Sequence, residues 1–365
     1  MKFKIIFALF LVYSANQLIG LNTKFIEKIK LSQEKSLIQG SISFAVTEDE
    51  TFFITDYKAA DIKIYNNQGY LEKVWGRKGP GPEELLRPSV CSYRDGTFAV
   101  LDFGKYRILL FERKGKTDLK IKEEIVLIDI GLCISLMKNK VLIAGYKVDP
   151  NGKSFALYAM DFKTKKYTLL MPSEIKYGLD SFKEYKSQYY SKPDLGAIGG
   201  SGFCDWNDDY AYYIWEGNLR IIKINLSSGK MNYFGKKTLN YTQPLATKAL
   251  IKGDKERNVK LIFREKYKMS YVKAICTTEN YVVILYNKPT ENLGNDWSIY
   301  DAEFQYMFQI YSLDGIFLME SPIYGKYNEM YMTHNGNSVY FLASKTDEKT
   351  DEKELYEILK YKIAD

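Results

Sequence analysis

The chain is poor in the residues from which most catalytic and metal centres are built. One histidine among 365 residues rules out any site that needs two. Four cysteines occur without a CxxC pair or a Cys–His spacing, so neither a zinc site nor a redox motif has support. Nine prolines are too few for a collagen-like or Pro-rich linker architecture. The charge excess is +7, from 52 basic and 45 acidic residues, and no Lys/Arg run forms a phosphate-tracking stripe, so no nucleic-acid partner is expected. Beyond the N-terminal segment, no apolar stretch reaches membrane-spanning length without charges. Neither a GxxxxGK[ST] loop nor a nucleophile elbow is present, so no catalytic residue and no cofactor is assigned. What is abundant is aromatic. The 31 Tyr, 20 Phe and 4 Trp make up 15% of the chain, and such residues favour pleated, half-buried surfaces.

The N-terminus differs from the rest. Lys2 and Lys4 precede an apolar run from Ile5 to Val12, followed by the small residues Ser14 and Ala15. A basic start, a short apolar stretch and small residues read as a secretory signal peptide over residues 1–20. The mature chain, 21–365, is therefore expected to be exported, to the periplasm or the extracellular space, with no further transmembrane segment.

After residue 40 the sequence repeats itself as short strands separated by turns, the signature of an all-β repeat fold. Segments 43–76 and 89–116 align best. Asp56 after FFIT and Asp102 after FAVL hold the same place, and Ile62–Tyr65 matches Ile108–Phe111. Weaker copies cover 131–171, 202–234, 274–320 and 331–364. Six units average about 57 residues, longer than the usual blade, and the excess sits in insertions near 173–200 and 236–271. The apolar stretch Leu261–Phe263 leaves room for a seventh, degenerate unit. The expected architecture is a single six-bladed β-propeller of four-stranded antiparallel blades. Phe25, Ile29 and Leu31 alternate like a strand, so an N-terminal strand is expected to supply the outer edge of the last blade and latch the ring.

The stretch Asp102 to Gly115 resembles the NHL-type repeat of six-bladed propellers. Residues 76–84, GRKGPGPEE, with Pro88 after them, are similar to the inter-blade GRxGxGPGEF..P signature of exported bacterial six-bladed propellers, although the order PGPEE differs from GPGEF. The resemblance covers about 43–116 closely and the remainder in pattern only. It implies the fold and an exported, non-catalytic role, and carries over no functional residues.

The residues point to binding rather than chemistry. Cys91, Cys133, Cys204 and Cys276 recur at one repeat position on the innermost strand, where small soft side chains suit a crowded axis; free buried thiols are expected. His334, in Thr-His-Asn-Gly, is expected to be a solvated turn residue. The 76–88 loop carries Arg77, Glu83, Glu84 and Arg87. It is read as an inter-blade crossover whose charges could also touch a ligand at the channel mouth. The first insertion interleaves Tyr185, Tyr189 and Tyr190 with lysines, and the second holds Arg264; amphipathic Tyr beside cations suits a protein or carbohydrate ligand. Phe52, Phe98, Tyr212 and Tyr340 are expected to pack blade against blade. The expected function is a binding or scaffolding propeller working through its insertion-bearing face. The alternative is a metal-dependent hydrolase or lyase in the axial channel, against which the axial Ala, Cys and Met stand as poor ligands for a hard cation.

Overall fold

The computed structural model describes residues 21–127, 130–173, 202–242, 267–289, 303–346 and 354–364. After β1 (Asn22–Lys30), the first blade runs through β2 (Ser41–Val46), β3 (Phe52–Asp56), β4 (Asp61–Tyr65) and β5 (Leu71–Trp75). The second holds β6 (Pro88–Arg94), β7 (Thr97–Asp102), β8 (Arg107–Lys114) and β9 (Asp118–Val126). The third holds β10 (Ile130–Met137), β11 (Lys140–Val148), β12 (Ser154–Asp161) and β13 (Tyr167–Pro172). The fourth holds β14 (Gly202–Trp206), β15 (Tyr210–Trp215), β16 (Ile221–Asn225) and β17 (Met231–Phe234). The fifth holds β18 (Val272–Thr277), β19 (Tyr281–Asn287), β20 (Tyr306–Ser312) and β21 (Phe317–Pro322). The sixth combines β22 (Glu329–Asn335), β23 (Ser338–Thr346) and β24 (Glu354–Ala364) with β1, in the order β1-β24-β23-β22. Every pairing in the six sheets is antiparallel.

The inner strands β2, β6, β10, β14, β18 and β22 touch in a closed cycle, each meeting the next and β22 returning to β2. That cycle leaves no gap for a seventh blade. β1 lies antiparallel along β24, so the sixth blade is built from both ends of the chain. Ile29 and Leu31 are buried against it, but Phe25 is exposed because the β1 register shifts between Phe25 and Glu27. A bulge breaks the period-2 alternation that would otherwise place Phe25 and Ile29 on one face.

Six apolar clusters fill the six clefts between neighbouring blades. The second strand of each blade is buried on both faces, so its successive residues serve opposite neighbours. In β3, Phe52 and Ile54 face the sixth blade while Phe53 faces the second. Phe52 stacks edge-on to Tyr340 at 6.0 Å, and Phe53 lies 4.7 Å from Phe98. Phe52, Phe98, Tyr212 and Tyr340 are all in these clefts. A wedge between splayed sheets widens outward, and large rings fill it at native density.

In the first and second blades the repeated aspartate fastens the entering segment to its blade. Asp102 accepts hydrogen bonds from the backbone N–H of Leu86 and Arg87, the latter at 2.8 Å, and from Arg107 Nε at 3.4 Å. Asp56 accepts from Gln39 N at 2.7 Å, Ala59 N at 3.0 Å and Lys63 Nζ at 3.0 Å. In the first blade, the place of Arg107 is taken by Asp61, and the fully buried Lys63 ammonium bridges both carboxylates. Burial raises the Asp61 carboxyl above its ordinary range, against the pull of Lys63.

Candidate functional site

Strand direction divides the ring into two rims. The hairpins that leave the inner strands open on one, and the crossovers that enter them lie on the other. Residues 174–201, 243–266, 290–302 and 347–353 lie outside the described residues; the described strand ends that flank them are at the crossover rim.

A cavity of about 1110 Å³ runs along the axis, walled by the inner strands of all six blades. Its polar centre is Asp205, near the end of β14. Ser135 of the third blade donates to Oδ1 at 2.6 Å, and the Thr277 amide of the fifth donates to Oδ2 at 2.6 Å. His334 of the sixth places Nε2 at 3.8 Å from Oδ2. One carboxylate thus gathers four blades. The second blade joins through Arg94, whose guanidinium lies 3.9 Å from the centre of the Trp206 ring and 3.9 Å from Asp208. The Trp206 indole N–H donates to the Leu136 carbonyl, which holds its ring in the wall.

Among the described residues, two polar atoms at this centre have no hydrogen-bond partner: Thr277 Oγ1 and His334 Nδ1. Burial lowers the His334 imidazole below its usual range; Asp205 pulls it back up and Arg94 adds to the lowering. His334 is therefore neutral at pH 7. It lies on β22, paired with Val339, rather than in a solvated turn, because a two-residue hairpin at Gly336-Asn337 lets the strand run on to Asn335. Among the described residues no serine or cysteine hydrogen-bonds to it, so the nucleophile–base pair of covalent catalysis is not assembled. Nor do three His, Cys, Asp or Glu side chains converge to hold a metal among the described residues.

All four cysteines line the cavity as free thiols, three buried and Cys133 half-buried. Burial pushes Cys91 up to about 12 and Cys204 well above the thiol range. Cys133 is lowered, because the Cys204 thiol hydrogen-bonds to it and outweighs burial.

Of the residues singled out in the sequence, none of Arg77, Glu83, Glu84 and Arg87 lines this cavity. They sit in a crossover tied to the second blade. Arg77 Nε pairs with Glu84 Oε1 at 2.9 Å, and Gly81 N donates to Glu84 Oε2 at 2.7 Å. The Gly81 amide, and after it Arg77, holds the Glu84 carboxyl below its ordinary value. Lys105 and Arg107 donate to the Gly81, Pro82 and Glu84 carbonyls. Arg87 lies over Phe103 at 5.7 Å, and Glu83 is exposed. Tyr185, Tyr189, Tyr190 and Arg264 lie outside the described residues. A smaller pocket of about 290 Å³ at the crossover rim is lined by Tyr267, Tyr271, Phe304, Tyr306 and Tyr331. Sequence reasoning passed over Asp205, Ser135, Thr277 and Trp206; the only signal for them was their place near the ends of inner strands.

No protein-family profile and no curated protein matches the chain. Among solved structures, a member of the DUF4221 family from Bacteroides vulgatus superposes with a TM-score of 0.64 at 11% identity, over 94% of this chain and 99% of that one. An exported-type protein from Bacteroides fragilis superposes with a TM-score of 0.58 at 15% identity, over 94% of this chain and 96% of that one. At such identities the likeness is one of fold: this chain is a six-bladed β-propeller similar to both.

Proposed function

We propose that the protein is an exported, non-enzymatic binding propeller whose protein or carbohydrate ligand seats in the axial cavity from the hairpin rim. The observation that carries this is a cavity of about 1110 Å³ with Asp205, Ser135, Thr277 and His334 gathered within it, and two of their polar atoms unpartnered among the described residues. Pockets that take ligands combine such a volume with a few convergent polar groups. Export is supported by the N-terminal Lys2–Ala15 pattern and by the exported type of the Bacteroides fragilis relative. Among the described residues, no helix is long and apolar enough to cross a membrane. The Asp102–Arg107 fastening supports kinship with NHL-type propellers. The described strand ends that flank the two insertions lie at the opposite rim. A metal-dependent hydrolase or lyase gains no support from the donor geometry.

The test is native mass spectrometry of the purified protein against a panel of oligosaccharides and peptides, with Met332→Trp as the blocked form. Met332 lines the cavity, and an indole there narrows it. Retention of a probe by the wild type, lost in Met332→Trp, is expected. Turnover of the retained probe, or retention that Met332→Trp leaves unchanged, overturns the reading. A stoichiometric divalent cation accompanied by turnover installs the metal-dependent alternative.

A further inference from the structure

The charge of the cavity is opposite to that of the chain. The whole sequence carries +7, yet the cavity is lined by eight carboxylates and only three basic side chains, Arg94, Lys223 and Lys273. Six of those carboxylates, Glu48, Asp95, Asp208, Asp209, Glu279 and Asp314, come from turns at the hairpin rim and form a collar above Asp205. Of the cavity-lining cations, the two at that rim are already engaged, in part by the collar: Arg94 lies 3.9 Å from Asp208 and Lys223 3.7 Å from Asp314. Arg94 is stacked on Trp206, and Lys223 donates to the Leu313 carbonyl at 2.8 Å and lies 3.9 Å over Tyr210. Asp209 and Glu279 are exposed and have no ion pair among the described residues.

A second feature is independent of the collar. Thr277, the last residue of β18, lines the cavity at 3% exposure, and its hydroxyl has no hydrogen-bond partner among the described residues. A buried hydroxyl left unpaired is costly unless something fills the place, and its lone pairs accept from an N–H donor. Beside it, the Asp205 carboxylate has lone pairs beyond those used by Ser135 and Thr277. The Asp205–Thr277 pair and the collar therefore both offer acceptors and negative charge. Low-dielectric walls focus such a field and draw in ligands of opposite sign.

From this arrangement, and resting on the axial reading above, we infer that the cavity takes an extended ligand bearing several primary ammonium groups. Its leading ammonium sits between Asp205 and Thr277, and its following ones lie along the collar. Two sources share that chemistry: a free polyamine, and a lysine-rich peptide segment.

The experiment is calorimetric titration of the full-length mature protein with spermine, hexalysine, hexaglutamate and cellohexaose. Three variants accompany it: Asp208→Asn/Asp209→Asn/Glu279→Gln, Thr277→Val and the blocked Met332→Trp. The first alters exposed side chains only, so the fold is kept. Binding of spermine or hexalysine is expected, weakened about tenfold at low salt by neutralising the three carboxylates. A comparable weakening is expected when ionic strength rises from about 0.02 to about 0.2 M. Preference for spermine over hexalysine identifies the polyamine as the source, and the reverse identifies the peptide; both support the inference. Cationic binding that the triple variant and salt leave unchanged overturns it. Binding of hexaglutamate or cellohexaose that Met332→Trp abolishes overturns the ammonium class while sparing the axial seat. No binding of either cationic probe overturns the inference as well.

Discussion

Removing the Asp102 carboxylate tests whether the repeated aspartate holds a crossover to its blade. Asp102 is fully buried and serves three donors: the Leu86 and Arg87 amides and the Arg107 guanidinium. Asp102→Ala leaves the Arg87 N–H without its acceptor, a loss of about 1–3 kcal/mol. It also takes one of its two anions from a guanidinium that is 3% exposed. Breaking a buried pair from one side costs about 3–5 kcal/mol, but Arg107 keeps Glu124 at 2.8 Å and two loop carbonyls, so the lower part of that range applies. A total near 4–6 kcal/mol follows. Asp102→Asn, which keeps an acceptor but drops the charge, should lose about half as much. Urea denaturation followed by far-UV circular dichroism measures the difference. In a double-mutant cycle with Arg107→Met, the double variant should be less destabilised than the sum of the singles by about 1–2 kcal/mol. A loss below about 1 kcal/mol for Asp102→Ala, or strict additivity in the cycle, would refute the fastening role.

Other consequences follow from the same geometry. The single histidine gives one imidazole signal in a proton NMR titration; it should titrate below 6.5, shift further down in Asp205→Asn and move up in Arg94→Met. Modification of the native protein with iodoacetamide near pH 8 should label Cys133 first by mass spectrometry, with Cys91, Cys204 and Cys276 labelled only on unfolding; early labelling of Cys91 would contradict its burial. Stability should fall on acidification below about pH 4, since two inter-blade carboxylates have folded-state values below their unfolded ones. Asp49 is lowered chiefly by the Arg113 hydrogen bond, and Glu50 by Lys360 and Tyr340 against its burial. Their contribution is therefore complete above the unfolded carboxylate range and lost as pH drops through the folded values, and Asp49→Asn should flatten the acid limb of melting temperature against pH.

The fold was legible because its cause is local and repeated. FFITD and FAVLD carry the same strand, the same both-sided burial and the same terminal aspartate, so one alignment exposes the blade unit. The aromatic excess was legible for the same reason, as filler for the clefts. Phe25 was legible as a strand residue but its exposure was not, because a bulge between it and Glu27 leaves no mark in the sequence.

The axial site escaped for a reason intrinsic to the architecture. Its members are contributed singly by different blades, with Ser135 and Thr277 standing 70 and 72 residues from Asp205. No local spacing can encode such a meeting; only the ring's closure brings it about. Counting across hairpins does not recover it, because their lengths differ. Arg94 pairs with Thr97 and Met137 with Lys140 over two-residue turns, whereas Trp206 pairs with Ala211 and Thr277 with Val282 over four. The count that aligned the cysteines therefore fixes which strand lies innermost but not which residue reaches a given depth. Chemistry at the axis is set by depth: the same carboxylate is an ordinary solvated charge at Asp208 and the meeting point of four blades at Asp205, three positions earlier.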